Sequence, residues 1–332
     1  MMTTLPPPDT TDLAPLQTLP ETYQRLATAI RQRIIGQDAL IRDIFVALLS
    51  RGHCLMVGVP GLAKTLLVKT LGEIFDLSFH RIQFTPDLMP SDITGSEIIE
   101  QSSDGRREFR FVPGPLFTQL LLADEINRTP PKTQAALLEA MQERQVTVAG
   151  KTYPLGAPFF VLATQNPIEQ EGTYPLPEAQ LDRFMFCLHV GYPSLTEEID
   201  ILQRTTTNEE AAVPSVLAES EILSLQSAVR QIVVPHSVAE FAVRIVHASR
   251  PGNPLAPEAV KKYVRWGAGP RASQYLALAG KALAAMDGRF NVAVEDIVAA
   301  VPMVLRHRVL TNFRAEADGV EIEGILNLLV PR

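Results

Sequence analysis

The feature that most constrains the fold of this chain is the segment Gly-Val-Pro-Gly-Leu-Ala-Lys-Thr at residues 58–65, which follows an apolar run at 54–57 and enters an amphipathic segment. This order predicts a strand, a glycine-containing turn and a helix, the arrangement of a phosphate-binding loop. Glycines allow backbone N–H groups to curl around phosphate oxygens, and the helix N-terminus adds partial positive charge. Lys64 is expected to reach the terminal phosphates and Thr65 to ligate Mg²⁺. The segment therefore predicts a site for a nucleoside triphosphate.

One position of the loop departs from the usual spacing, which places Gly directly before the Lys. Here that position is Ala63, and a right-handed helical start is expected to tolerate its methyl group. The residues expected to contact the nucleotide along this segment are Gly58, Pro60, Gly61, Leu62, Ala63, Lys64, Thr65 and Leu66.

A pair of adjacent carboxylates is the second chemical signature. Asp124 and Glu125 follow the run at 116–123, which is apolar enough to be a strand buried on both faces. Alone, the dipeptide would be taken for a solvated strand end, but the loop upstream favours a hydrolytic site. Asp124 is then expected to hold the Mg²⁺ water shell, and Glu125 to polarise the attacking water.

A polar strand end of a different kind follows the apolar run at 159–164. The run predicts a further buried strand, and Gln165-Asn166 ends it. An uncharged amide at Asn166 can hydrogen-bond the attacking water or the γ-phosphate without repelling either.

Composition and charge narrow the class of protein. The chain has 332 residues, 46% of them hydrophobic, which suggests about two domains with real cores. No uncharged apolar run comes near the roughly 18 residues that span a bilayer, and no signal-peptide pattern is present, so a cytoplasmic location is expected. Cys54 and Cys187 lie in apolar runs and the histidines are not at ligand spacing, which disfavours a disulfide or a metal site built from them. The net charge of -7 disfavours a dominant nucleic-acid surface.

The pattern of elements changes along the chain. Residues 1–20 are rich in proline with little apolar periodicity, and are expected to form a flexible tail. Strands and helices then alternate as far as the segment at 191–195, beyond which only helices are predicted. A domain boundary is therefore expected at that segment.

A tight apolar turn at 34–37 is a candidate for the wall of the base site. It is predicted to join a helix at 21–33 to a second helix capped by Asp38. Because the turn lies shortly before the first strand, Ile35 and Gly36 would then contact the base of a nucleotide bound at the loop. A plain helix-to-helix connector is equally compatible with the spacing.

Two β-hairpins are predicted within the first domain. β-like segments at 96–100 and 106–111 are joined through Asp104-Gly105, a strong hairpin turn signal. A second pair of short segments surrounds Ala149-Gly150-Lys151.

These motifs, in this order, resemble those of the AAA+ ATPases and, more narrowly, of the MoxR family. The stretches that carry the resemblance are residues 58–65, Leu122-Ala123-Asp124-Glu125-Ile126-Asn127-Arg128, Ala163-Thr164-Gln165-Asn166-Pro167 and Leu181-Asp182-Arg183-Phe184. The likeness covers nearly everything from about residue 21 onward, and Ala63 is that family's usual form.

The resemblance implies an α/β fold in two domains. A P-loop domain over 21–192 would contain a parallel five-stranded sheet in the order 5-1-4-3-2 with helices on both faces, and an all-α lid domain would occupy 193–332. The first hairpin, at about 94–113, would be a helix-2 insert. The second, at about 145–158, would be a pre-sensor-1 hairpin, and both would project toward the pore of a ring.

The resemblance also implies roles for the strand-end residues. Lys64 and Thr65 correspond to the Walker A motif, and Asp124 and Glu125 to the Walker B motif. Asn166 corresponds to sensor 1.

Two arginines complete the implied site. Arg271 matches sensor 2, which touches the γ-phosphate; without the family, an arginine paired with a local carboxylate would be the better interpretation. Arg183 corresponds to the arginine finger that reaches a neighbour's nucleotide, and Arg128, near the acidic strand end, is its main rival. Gly269 stands where many members have Ser.

The implied function is ATP-driven, chaperone-like remodelling of protein clients, with ATP and Mg²⁺ as cofactors. A homo-oligomeric ring is implied, with six as the expected number of subunits. Family members often work beside a partner that carries a von Willebrand factor A domain, so such a partner is an expectation here as well.

Three other functions use related architectures. A DNA-translocating motor would share the two hairpins, but their basic residues (Arg106, Arg107, Arg110 and Lys151) are offset by acidic ones (Glu97, Glu100, Asp104 and Glu108), and no aromatic and basic cluster marks either tip. The ATPase subunit of a metal chelatase is another alternative. A nucleotide switch without hydrolysis is disfavoured by Glu125. Protein clients remain the preferred interpretation.

Overall fold

The computed structural model describes residues 13–101, 107–169, 172–206 and 212–330. In chain order its elements are α1 (Ala14–Gln17), α2 (Leu19–Arg31), α3 (Asp38–Leu49), β1 (Cys54–Val57), α4 (Lys64–Ile74), β2 (Phe79–Gln83), α5 (Pro90–Thr94), β3 (Gly95–Gln101), β4 (Arg107–Pro113), β5 (Leu120–Asp124), α6 (Pro131–Glu143), β6 (Gln145–Val148), β7 (Lys151–Pro154), β8 (Phe160–Gln165), α7 (Glu178–Leu181), β9 (Phe186–His189), α8 (Leu195–Thr205), α9 (Glu219–Gln231), α10 (His236–Ala248), α11 (Glu258–Tyr263), β10 (Val264–Trp266), α12 (Pro270–Met286), α13 (Val294–Leu305), β11 (Leu310–Thr311), α14 (Phe313–Ala317) and α15 (Ile322–Leu329).

A five-stranded parallel sheet organises the N-terminal domain. Its strands lie in the order β2-β5-β8-β1-β9, with every neighbouring pair parallel. Counted along the chain, this is the expected order 5-1-4-3-2, so that prediction is confirmed. Val57 pairs with Gln165 at the end of the β1 and β8 ladder, and β5 ends beside them at Asp124. The polar strand ends therefore meet at one edge of the sheet.

Apolar cores cover both faces of this sheet. Alternate residues of the buried strands, such as Met56 and Leu162, face a core that continues through α3 and α4 into the C-terminal helices α9, α10, α12 and α13. Their neighbours, such as Leu55 and Val161, face a second core closed by α6. Because both faces are buried, the sequences of these strands are continuous apolar runs and do not alternate between apolar and polar residues.

The N-terminal segment does not match the expected tail. Residues 13–20 are mostly helical, and the side chains of Leu16 and Leu19 are fully buried. Helix α1 packs against α9, and burial of each leucine contributes about 1.5–3 kcal/mol toward the cost of ordering the segment. The prediction of a flexible tail is therefore wrong for 13–20, while residues 1–12 lie outside the described part of the chain.

Helix α3 begins at Asp38, but Asp38 does not cap it. The N-cap residue is Gln37, whose backbone is left-handed with φ 61. The Asp38 carboxylate instead pairs with Arg31, with 2.9 Å between Nε and Oδ1. The expected Asp38 cap is wrong, because left-handed conformations at Gly36 (φ 68) and Gln37 turn the chain into the helix.

The two hairpins lie against each other. β3 and β4 form one antiparallel ladder and β6 and β7 the other, while the predicted Asp104-Gly105 tip lies outside the described residues. The rings of Phe111 and Tyr153 stack with centroids 4.0 Å apart, and Lys151 Nζ lies 3.1 Å from Glu97 Oε1. An aromatic and an ionic contact thus link the described residues of the two hairpins.

The described residues of the C-terminal domain are mostly helical, but they include an isolated β-bridge between Val233 and Asn291 and one short ladder. β10 and β11 form a short antiparallel ladder in which Val264 pairs with Thr311, so the expectation of helices only beyond residue 191 is wrong at this point.

Across the described part of the chain, no helix combines the length and apolarity needed to cross a membrane.

Candidate nucleotide-binding site

The loop between β1 and α4 has the backbone of a phosphate cradle. Gly61 is left-handed with φ +86, and a Cβ built there would meet nothing within 4 Å, so its backbone borders open space. Ala63 is also left-handed, with φ 53 and ψ 22, and is the N-cap residue of α4. The expectation of a right-handed backbone at Ala63 is therefore wrong. Alternating handedness is the backbone pattern that can turn successive N–H groups toward one side, as in anion-binding concavities.

The start of the loop is fixed by close packing. A Cβ on Gly58 would lie 2.8 Å from both the Cβ and the carbonyl oxygen of Val190, so only glycine fits against the end of β9. The Gly58 N–H also donates to Gln165 O at 3.2 Å, which ties the loop to the end of β8.

The ammonium group of Lys64 interacts electrostatically with the two carboxylates. Its Nζ donates to Gly58 O at 2.5 Å. Burial lowers the pKa of Lys64, and the negative charges of Asp124 and Glu125 oppose that shift. The structure therefore brings Lys64, Asp124 and Glu125 together at the carboxyl edge of the sheet.

Asp124 is held by two partners that the sequence pattern did not reveal. The Thr164 hydroxyl donates to Oδ1 at 2.6 Å, and Arg81 donates to Oδ2 through Nε at 3.1 Å and a terminal nitrogen at 2.7 Å. Thr164 Oγ1 also accepts from the Glu125 N–H at 2.8 Å. One threonine thus holds the Asp124 carboxylate and the backbone N–H of Glu125. The signal for it in the sequence was its place two residues before Asn166.

Glu125 has a left-handed backbone, with φ 57, and its side chain is held within the subunit. Its Oε2 accepts from Gln83 Nε2 at 2.7 Å and from Arg128 at 3.0 Å. Arg128 also lies 3.5 Å from Glu169. Gln83 was not predicted as a site residue, since only the pairing of β2 with β5 brings it to Glu125.

Asn166 follows β8 and is largely buried. Its Oδ1 accepts from the Ile168 N–H at 3.2 Å, and its Nδ2 donates to Glu169 Oε2 at 3.3 Å. The amide therefore lies at the expected strand end, engaged with its own loop.

A large cavity opens beside the phosphate loop. It has a volume of about 1360 Å³, and its lining includes Ile35, Gln37, Pro60, Gly61, Leu62, Ala63, Leu66, Tyr192 and Ile201. Gly36 lies behind this wall: a Cβ there would meet Glu197 Oε1 of α8 at 2.4 Å. The turn at 34–37 is thus both a connector and a wall of the cavity.

Asp182 lies next to both of the predicted arginines: Arg271 contacts it in space, and Arg183 follows it in the chain. Arg271, in the first turn of α12, donates to Asp182 Oδ2 at 2.9 Å. Arg183 is the next residue after Asp182, and its side chain forms no ion pair with any residue that the structure describes. Arg308, which the sequence pattern did not single out, donates to Asp182 Oδ1 at 2.7 Å.

Comparisons with known proteins agree with this architecture. A family model described as "ATPase family associated with various cellular activities (AAA)" matches residues 53–186, and a model of the AAA lid domain matches residues 256–327. A crystal structure of a candidate ATPase from Cytophaga hutchinsonii superposes with a TM-score of 0.87 at 39% identity, covering 96% of both chains. The fold and these matches together define the class of protein, which is an AAA ATPase domain followed by its lid domain.

Two curated relatives narrow the class to a family. Chaperone MoxR1 of Mycobacterium tuberculosis is 46% identical over 306 residues, which cover 92% of this chain and 80% of that protein. The uncharacterized protein YeaC of Bacillus subtilis is 44% identical over 298 residues, covering 90% and 89%. The chain belongs to the MoxR family of chaperone-like AAA+ ATPases, as its motifs predicted.

Proposed function

We propose that this chain binds ATP with Mg²⁺, hydrolyses it, and uses the cycle to remodel protein clients. The observation that carries the proposal is the meeting of Lys64, Asp124 and Glu125 at the sheet edge beside the phosphate loop. The Lys64 ammonium group and the loop N–H groups would bind phosphate oxygens. The Asp124 carboxylate would bind the metal ion, and the Glu125 carboxylate would activate the attacking water.

The donor set suits Mg²⁺. Among the described residues no cluster of three or more acidic, histidine or cysteine side chains could hold a metal alone. Mg²⁺ usually takes only one or two protein ligands and completes its shell with water and phosphate oxygens, so Asp124 and the Thr65 hydroxyl would suffice. Bound there, the ion would offset phosphate charge. Thr164 would keep the Asp124 carboxylate oriented toward it.

Glu125 is the proposed base. Only its Oε2 accepts from Gln83 and Arg128, which leaves Oε1 to accept the proton of the attacking water. Asn166 is the proposed second contact for that water or for the γ-phosphate. To do so, the Asn166 amide would need to release its long hydrogen bond to Glu169, which measures 3.3 Å.

Replacement of Glu125 tests hydrolysis. Glu125→Gln should keep ATP binding and lose at least about a hundredfold in turnover, the scale on which a positioned base acts. The matched control is Glu139→Gln, which changes an exposed carboxylate on α6 and should keep wild-type turnover. Wild-type turnover in Glu125→Gln would place the base elsewhere.

Protein clients are favoured over DNA by the charges of the hairpins. Lys151 pairs with Glu97 at 3.1 Å, and Arg110 with Glu100 at 3.2 Å, so two basic groups of the described hairpin residues are already neutralised. A relative is named a chaperone, in keeping with this choice. Trapped Glu125→Gln protein should capture protein clients, and DNA should not stimulate the ATPase; salt-dependent stimulation by DNA would favour a translocating motor instead.

Assembly into a homo-oligomeric ring, with six subunits expected, would complete the site. We assign Arg271 to the γ-phosphate of its own subunit and Arg183 to the nucleotide of the next. The ion pairs of Arg128 with Glu125 and Glu169 favour Arg183 over Arg128 as the trans-acting residue. A partner with a von Willebrand factor A domain is proposed by analogy with the family.

A further inference from the structure

Asp182 lies where the C-terminal domain contacts the segment that carries Arg183. Its two carboxylate oxygens are divided between two arginines of that domain: Oδ1 accepts from Arg308 Nε at 2.7 Å, and Oδ2 from Arg271 at 2.9 Å. The backbone oxygen of Asp182 also accepts from Arg308, at 3.0 Å. One aspartate therefore touches both the proposed γ-phosphate arginine and a second, unassigned arginine.

The two arginines differ in how firmly they are held. The Arg308 side chain is only 2% exposed, and it also donates to Phe184 O at 2.6 Å and Met185 O at 3.1 Å. Its guanidinium lies over the Tyr275 ring, 4.9 Å from the centroid. Arg308 thus fixes the backbone on both sides of Arg183.

Arg271 is held much less firmly than Arg308. Its side chain is 40% exposed, and its contacts with Asp182 are one short bond to the carboxylate and one of 3.4 Å to the backbone oxygen. An exposed pair of this kind is weak, so a phosphate group with greater negative charge can compete for the guanidinium.

We propose that Asp182 is a positioning residue for both halves of the hydrolytic site. Its carboxylate holds the Arg271 guanidinium until the γ-phosphate of ATP takes the place of that carboxylate. Together with Arg308, Asp182 also fixes the segment that presents Arg183 to the next subunit. This rests on the proposed roles of Arg271 and Arg183. It goes beyond them, because it makes the aspartate a competitor of the nucleotide.

The first test measures ATP and ADP affinity in a Glu125→Gln background, where ATP is not turned over. Asp182→Asn removes the charge that competes for Arg271, so ATP should bind about two- to fivefold more tightly, the range expected for a partly exposed ion pair. ADP affinity should not change, because ADP has no γ-phosphate. Adding Arg271→Ala should abolish the difference.

The outcomes of this test distinguish the competition by Asp182 from the proposed role of Arg271 at the γ-phosphate. An unchanged ratio of ATP to ADP affinity in Asp182→Asn, with Arg271→Ala weakening ATP alone, would overturn the competition and leave the role of Arg271 intact. No effect of Arg271→Ala on ATP would overturn both. Should Asp182→Asn fail to fold, Asp182→Asn/Arg308→Met, which removes the buried guanidinium with its counter-charge, is measured in the same way.

The second test isolates the presentation of Arg183. Lys64→Ala subunits cannot use their own loop and can only donate an arginine, while Arg183→Ala subunits supply intact loops. Rescue of ATPase activity in the mixture should fall about tenfold or more when the donor also carries Asp182→Asn, since small misplacements of a catalytic group cost up to about a hundredfold. Equal rescue by both donors would overturn this half of the proposal. A merely structural ion pair would lower the melting temperature of the donor without changing the ATP to ADP ratio.

Discussion

Ala63→Gly should stabilise the protein, although glycine usually destabilises. Ala63 has φ 53, a left-handed conformation that costs a residue with a Cβ roughly 1–2 kcal/mol. Glycine removes that cost but adds about 0.4–1 kcal/mol of chain entropy to the unfolded state. The net change in the free energy of unfolding should be a gain of about 0.5–1 kcal/mol.

Urea unfolding followed by circular dichroism measures this difference as a shift of the midpoint at constant slope. The matched control is Ala135→Gly, at an exposed position inside α6, where the backbone is right-handed and glycine should cost about 1 kcal/mol. If Ala63→Gly lowered the midpoint as far as Ala135→Gly, the left-handed start of α4 would be refuted.

Two further perturbations test the site and the core. Lys64→Ala should lose ATP binding in an equilibrium titration with labelled nucleotide, because the charge of the β- and γ-phosphates would face only neutral N–H groups; near-normal affinity would remove Lys64 from the site. Burial lowers the pKa of His53 to about 4, and its ring bridges Val161 N–H and Met141 O as a neutral imidazole. Since the unfolded chain binds the proton more readily, stability that is full above pH 6.5 should be lost as the pH falls toward 4, by about 3 kcal/mol. The stability difference between wild type and His53→Gln should shrink by that amount over this range, and a constant difference would contradict the neutral buried ring.

The parts of the site that sequence alone predicted are those set by local order. A loop after a strand and a carboxylate at a strand end have positions that follow from the parallel sheet itself, so the order of motifs along the chain suffices to place Lys64, Asp124 and Glu125 together. The match of motifs to a family then fixed the strand order.

Contacts between distant segments could not be predicted in the same way. Gln83 reaches Glu125 only because β2 is the neighbour of β5, and Arg308 reaches Asp182 across 126 residues. Residues 13–20 were misjudged because their prolines suggested disorder, whereas the burial of Leu16 depends on packing against a helix near residue 220. Each of these contacts is tertiary and leaves no local pattern.

The central claim is that ATP is hydrolysed at a site built by one subunit and completed by Arg183 of the next. It is tested most directly by mixing inactive Lys64→Ala and inactive Arg183→Ala proteins under conditions in which subunits exchange, with exchange followed by fluorescence transfer between labelled subunits. In a ring with head-to-tail interfaces, equal mixing gives about a quarter of interfaces an intact loop from one parent and an intact arginine from the other, so ATPase activity should return to a comparable fraction of wild type. No recovery, despite demonstrated exchange, would contradict a site shared between subunits.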